Sequence, residues 1–94
     1  MQIVNRHILE EFVRRHPRSS SSLRRWLALV EDARWTNLMD VKALFPSADY
    51  VRGGRVVINI GGNNYRLIAV VNFLRQKVTV TNMLTHADYD RGGW

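Results

Sequence analysis

The sequence predicts an α+β fold: two N-terminal helices packed on a small antiparallel sheet, in the order β-α-α-β-β-β. Three observations lead there. The first third of the chain repeats apolar residues at helical spacing, and residues 55–85 hold runs rich in Val, Ile, Thr and aromatics. Short connections join those runs, and short connections make antiparallel neighbours. A chain of 94 residues predicts a single domain, 1–94, because folding at this size buries about 65% of the unfolded surface around one core. With 46% apolar and 23% charged residues, a disordered chain is excluded.

Ile8, Leu9, Phe12 and Val13 mark a helix over 6–15, with Asn5 as the expected N-cap and Pro17 as the stop. After the polar hinge Arg18 to Ser22, a second helix is predicted over 22–34, capped by Ser22. Leu23, Trp26, Leu27 and Val30 form its inner stripe, and Arg24, Arg25, Glu31 and Asp32 lie opposite. Thr36 or Asn37 then caps a short turn that points Leu38, Val41 and Phe45 inward and ends at Pro46. Three strands follow, over 55–60, 65–74 and 78–85, joined by Gly61-Gly62-Asn63-Asn64 and by Arg75-Gln76-Lys77. Ile3 and Val4 are expected to add a short edge strand. Residues Asp90 to Trp94 read as a frayed end.

The composition removes several function classes. Without cysteine there is no disulfide framework, no Cys-ligated zinc and no thiol nucleophile. The longest unbroken apolar run, Leu67 to Val71, is far too short for a membrane span, and the first residues lack the apolar stretch of a signal peptide. The expected location is the cytoplasm, with no membrane partner. His7, His16 and His86 are not spaced as metal ligands, so neither metal nor cofactor is expected. Gly61-Gly62 precedes a strand and not a helix, which excludes a phosphate-cradling loop. Asp88 and Asp90 are expected to cap a short C-terminal turn.

Charge points to the partner. Fourteen basic against eight acidic residues give +6, and all the basic residues except Lys42 and Lys77 are arginine. Arginine's planar fork grips phosphate bidentately and stacks on bases. A small domain of this sign is attracted to nucleic acid or to an acidic protein.

Strand register locates the chemistry. A hairpin closed by 61–64 places Ile60 opposite Tyr65 and Asn59 opposite Arg66. One closed by 75–77 places Arg66 opposite Thr85 or His86. Facing residues are about 5 Å apart, so Asn59, Asn63, Asn64, Arg66, Thr85, His86 and Tyr89 are expected at one end of the sheet. A cation, an imidazole and a phenol meeting there match the needs of RNA cleavage by internal transfer. That reaction takes a base for the 2′-hydroxyl, a cation for the phosphorane and an acid for the leaving oxygen.

Three segments, Lys42 to Asp49, Asn59 to Leu67 and Thr85 to Asp90, resemble in order and across the chain the HigB-type toxins of the RelE-like superfamily. The resemblance implies a RelE-like fold and a metal-independent endoribonuclease that cleaves mRNA, an mRNA interferase acting at the ribosome. It implies silencing by a cognate HigA-type antitoxin with a helix-turn-helix domain. It carries catalytic roles to Arg66, His86 and Tyr89, with Asn63 as a helper; Asn63, Asn64, Lys77 and Arg55 are the residues expected to contact RNA. Asn64 stands where many relatives are expected to have Lys. The competing expectation is a non-catalytic ParE-like toxin or nucleic-acid-binding module, for which the imidazole of His86 would be unnecessary.

Overall fold

A computed structural model describes residues 1–51 and 53–94 of the chain. The order is β1 (Gln2–Val4), α1 (Arg6–Arg15), a 3₁₀ turn (Pro17–Ser19), α2 (Ser20–Asp32), α3 (Leu38–Leu44), β2 (Asp49–Val51), β3 (Arg55–Ile60), β4 (Tyr65–Asn72), β5 (Lys77–Thr85) and α4 (His86–Arg91). The strands form one sheet in the order β1-β5-β4-β3-β2. β2 to β5 are antiparallel neighbours, as expected, but β1 pairs with β5 in parallel, so the sheet is mixed. Parallel pairing requires a crossover, and α1 with all that follows supplies it. The edge strand β2 and the helix α4 are additions to the predicted order.

Helix α1 occupies its predicted span because Leu9 and Phe12 bury themselves on one face while Glu10, Glu11 and Arg14 stay in water. Its predicted cap is not used as one. Asn5 takes a left-handed conformation (φ 68°), which Asn tolerates, and its Nδ2 donates 3.1 Å to the Val80 carbonyl on β5. α2 starts at Ser20 rather than Ser22, because the 3₁₀ turn has already wound the chain. Buried Ser19 donates 2.7 Å from Oγ to the His16 carbonyl within that turn. At α3 the Asn37 cap is as expected, with Oδ1 accepting from the Asp40 N–H at 3.1 Å. In return the Asp40 carboxylate accepts from the Thr36 N–H and hydroxyl, both at 2.8 Å. Those two bonds, main chain first, hold its carboxyl below the ordinary carboxylate range.

The helices cover one face of the sheet. Phe12, Leu23, Trp26, Val30 and Val41 pack there against Val56, Ile58, Ile60, Leu67, Ala69, Val78 and Val80, with half-buried Leu27 alongside. Alternation along a strand sends the intervening residues to the opposite face, where Val57, Arg66 and Ile68 are also buried. That second face carries the site.

Register settles its details. Ile60 faces Tyr65 and Asn59 faces Arg66, as the loop length predicts. Across β4 and β5, however, Arg66 faces Leu84, and it is Tyr65 that faces Thr85. Two features shift the pairing. β4 ends at Asn72, so four residues, Phe73 to Gln76, make the turn, and a bulge between Ile68 and Ala69 slips the ladder at Thr81. Gln76 stands in the left-handed region (φ 55°), and its side chain donates 2.6 Å to the Trp35 carbonyl and 2.8 Å to that of Phe73.

Candidate functional site

Arg66 is the second residue of the central strand β4 and is only 8% exposed. A buried guanidinium must find acceptors or destabilise the fold. Nη1 donates to the carbonyls of Asn63 and Tyr65, both at 3.1 Å, and Nη2 donates to Asn63 Oδ1 at 2.6 Å. Its carbon Cζ lies 5.5 Å from the centroid of the Tyr89 ring, within cation–π range. Among the described residues no carboxylate lies within salt-bridge distance of Arg66. Its positive charge is therefore held by neutral acceptors, and the Nε hydrogen and one on Nη2 have no protein acceptor among these bonds.

The turn before β4 makes this clamp. Gly61 and Gly62 adopt φ of 62° and 68°, and a Cβ on Gly61 would meet Tyr65 Cδ2 at 3.2 Å. The bend places Asn63 over Arg66 and Asn64 beside the start of α4, where the Asn64 carbonyl accepts from the His86 N–H at 3.0 Å. Thr85, and not either aspartate, caps α4, its Oγ1 accepting from the Asp88 N–H at 3.1 Å. Both acids pair within the helix instead. Asp88 Oδ1 meets Arg91 Nη2 at 2.6 Å, and Asp90 Oδ2 meets His86 Nδ1 at 2.9 Å across one helical turn. The aspartate fixes which imidazole nitrogen is engaged and leaves Nε2 for a ligand, in a side chain that is 41% exposed.

Asn63, Arg66 and Tyr89 thus gather on the second face, and the main chains of Asn64 and His86 meet at the same end of the sheet. Asn59 lies beside them, paired with Arg66 across the ladder. Lys77 does not join them: it opens β5 next to Asn72 and Gln2, at the far end of the sheet. Arg55 starts β3, yet it reaches the group through a residue the sequence reading set aside. The Trp94 ring stacks on Tyr89 at 4.8 Å and 18°, and Arg55 Cζ lies 4.9 Å from the Trp94 centroid. Residues Asp90 to Trp94 are accordingly tied down rather than frayed. The signals were present: His86 and Asp90 at i, i+4, and a tryptophan, whose large ring seldom stays unpacked, after Gly92-Gly93.

A basic α+β domain with a helical hairpin on one sheet face and an Arg–His–Tyr group at one end of the other has the architecture of a RelE-like toxin. The family model for the HigB toxin, described as the RelE-like toxic component of a toxin–antitoxin system, matches residues 19–92, and the chain belongs to that family. A cognate antitoxin is therefore its partner. Similar proteins include the mRNA interferase HigB of Escherichia coli O6:H1, 28% identical over 97% of this chain and 90% of the relative. The mRNA interferase toxin HigB of Escherichia coli K12 and the mRNA interferase HigB of Shigella flexneri are each 27% identical, over 96% of this chain and 88% of theirs. No helix among the described residues is long and apolar enough to cross a membrane.

Proposed function

We propose that this chain, folded as one domain over 1–94, is an mRNA interferase that cleaves RNA by internal transfer of the phosphoryl group. The observation that carries the reading is Arg66: a buried guanidinium clamped by Asn63 and backed by Tyr89, with no carboxylate in salt-bridge reach among the described residues. Such a cation is suited to an anion whose charge grows during reaction, because its donors need not reorganise. The 2′-oxygen attacks the adjacent phosphorus as it loses its proton, and the 5′-oxygen leaves as it gains one. His86 Nε2 and the Tyr89 hydroxyl share these two transfers, with Asp90 holding the imidazole, while Arg66 stabilises the phosphorane. The products are a 2′,3′-cyclic phosphate (or 3′-phosphate) and a 5′-hydroxyl. The nucleophile is the RNA's own hydroxyl, so the scheme needs no metal ion.

The surroundings fit the same reading. Arg14, Arg15, Arg18, Arg24 and Arg25 are exposed along the α1–α2 hairpin, which suits an acidic segment of a HigA-type antitoxin with a helix-turn-helix domain. The working place is the ribosome, in the cytoplasm. The test is growth arrest with primer extension on cellular mRNA. Arg66→Ala is expected to abolish both while folding is retained. Arg66→Lys should not restore them, since an ammonium cannot span two phosphate oxygens in plane. Undiminished cleavage by the folded Arg66→Ala protein would sink the scheme.

A further inference from the structure

The C-terminal residues build something the cleavage scheme does not use. Arg66, Tyr89, Trp94 and Arg55 form a continuous ladder across the second face. The guanidinium of Arg66 lies 5.5 Å from the Tyr89 ring, that ring 4.8 Å from the indole, and the indole 4.9 Å from the Arg55 guanidinium. A planar nitrogen heterocycle held between a phenol and a guanidinium is in the setting that proteins offer an unstacked nucleobase. The indole has the size and flatness of a purine. Its edge is read as a base edge would be, Nε1 donating 2.9 Å to the Tyr89 carbonyl, while Arg55 Nη1 donates 3.0 Å to the main-chain oxygen of Trp94.

The attachment of this ring differs from that of the other tryptophans. Trp26 and Trp35 are 1% and 3% exposed inside the core, whereas Trp94 is only partly buried and follows two glycines. Gly92 and Gly93 have φ of 77° and 81°, both exposed, with nothing within 4 Å of a Cβ at either position. A pair of such residues can rotate without disturbing packing. Beside the indole, Asn82, Leu84, Asp88, Arg91 and the two glycines border an open cleft of about 330 Å³.

We propose that the slot between Arg55 and Tyr89 is a nucleobase subsite, filled by Trp94 when no RNA is bound, and that Trp94 swings out on Gly92–Gly93 to admit the base. The inference rests on the RNA-cleaving reading and extends it. The base neighbouring the scissile phosphate on Arg66 stacks on Tyr89 in place of the indole, and Arg55 covers it. Trp94 is then an intramolecular competitor that sets the affinity for single-stranded RNA without touching the reacting atoms.

The probe is adenosine 3′-monophosphate, with uridine 3′-monophosphate and inorganic phosphate for comparison, read by acrylamide quenching of tryptophan fluorescence. Trp26 and Trp35 are buried, so a change reports Trp94. The adenine nucleotide should raise quenching, the uridine nucleotide should do so at higher concentration, and phosphate alone should not. Trp94→Ala should bind the adenine nucleotide about 3–10-fold more tightly, since one stacked contact no longer has to be displaced. Its KM for RNA cleavage should fall with kcat unchanged. Adding Arg55→Gln to Trp94→Ala should reverse the gain in nucleotide binding, and that comparison stands even if Trp94→Ala lowers the Tm. A raised KM in the folded Trp94→Ala protein would make the indole part of the binding platform and overturn the proposal, as would release of Trp94 by phosphate alone. Nucleotide-driven release in a protein that cleaves no RNA would keep the subsite and defeat the interferase reading. Cleavage by a protein whose Trp94 ignores nucleotide would do the reverse.

Discussion

The Arg66 guanidinium lies 5.5 Å from the Tyr89 ring centroid, joining the middle strand of the sheet to the short C-terminal helix on the face away from the helical hairpin. The contact gives Tyr89 two separable duties. Its ring supports a buried cation, and in the proposed scheme its hydroxyl exchanges a proton with substrate.

Tyr89→Phe keeps the ring and removes the hydroxyl. We expect it to fold with an unchanged Tm and to cleave RNA about 10²-fold more slowly, the lower end of what one acid–base group contributes. Tyr89→Ala should also lower the Tm, because Arg66 loses its π face. Equal cleavage rates for wild type and Tyr89→Phe, measured in a purified translation system, would take the phenol out of the proton transfers.

His86 and Asp90 should separate as a reacting group and a positioning group. His86→Ala is expected to reduce cleavage by about 10²–10⁴-fold. Asp90→Ala leaves the imidazole in place but unanchored, and should lose about 10–100-fold, mostly in kcat. His7 lies exposed on α1, and His7→Ala should be indistinguishable from wild type in the growth assay. If His7→Ala were as damaging as His86→Ala, the site assignment would be wrong.

Trp26 is 1% exposed beneath α2, and Trp26→Ala should cost about 3–5 kcal/mol in urea unfolding. That is a large part of the roughly 5–15 kcal/mol typical of a folded domain, so the variant should be partly unfolded at 37 °C. A change under about 1 kcal/mol would mean that the helical hairpin does not form the core described.

Asp40 supplies a pH test whose sign is fixed. Its folded carboxyl titrates below the ordinary carboxylate range because the Thr36 main chain and hydroxyl donate to the ionised form. A group depressed on folding stabilises the protein above its unfolded pKa and loses that contribution as pH falls through the folded value. Asp40→Asn should therefore have a lower Tm than wild type at neutral pH. The gap should close as the pH drops below about 4. A gap that is constant from neutral pH down to acid would show that Thr36 gains nothing from the carboxylate charge.

How much of this was legible depends on the range of the interactions involved. Helix α1 and strand β3 match the predicted 6–15 and 55–60 because their patterns are local: a 3.6-residue stripe before Pro17, and alternation between glycine turns. The pairing of Asn59 with Arg66 was legible for the same reason, since the four-residue turn alone determines it. The β4–β5 register was not, because Gln76 bends that turn by bonding the Trp35 carbonyl, 41 residues away. Asn5 failed as a cap because the Val80 carbonyl, 75 residues away, claims its side chain.

By itself the sequence determined helices α1 and α2, strands β3 to β5 in their order, and the placing of Asn59 beside Arg66, since each follows from periodicity and loop length. Tertiary structure alone decided that Arg66 is buried on neutral acceptors, and that Trp94 lies in the ladder with Arg55 while Lys77 stays apart. Those outcomes depend on which side chains meet across the sheet. Backbone propensity carries no record of such meetings, and a one-residue bulge changes them.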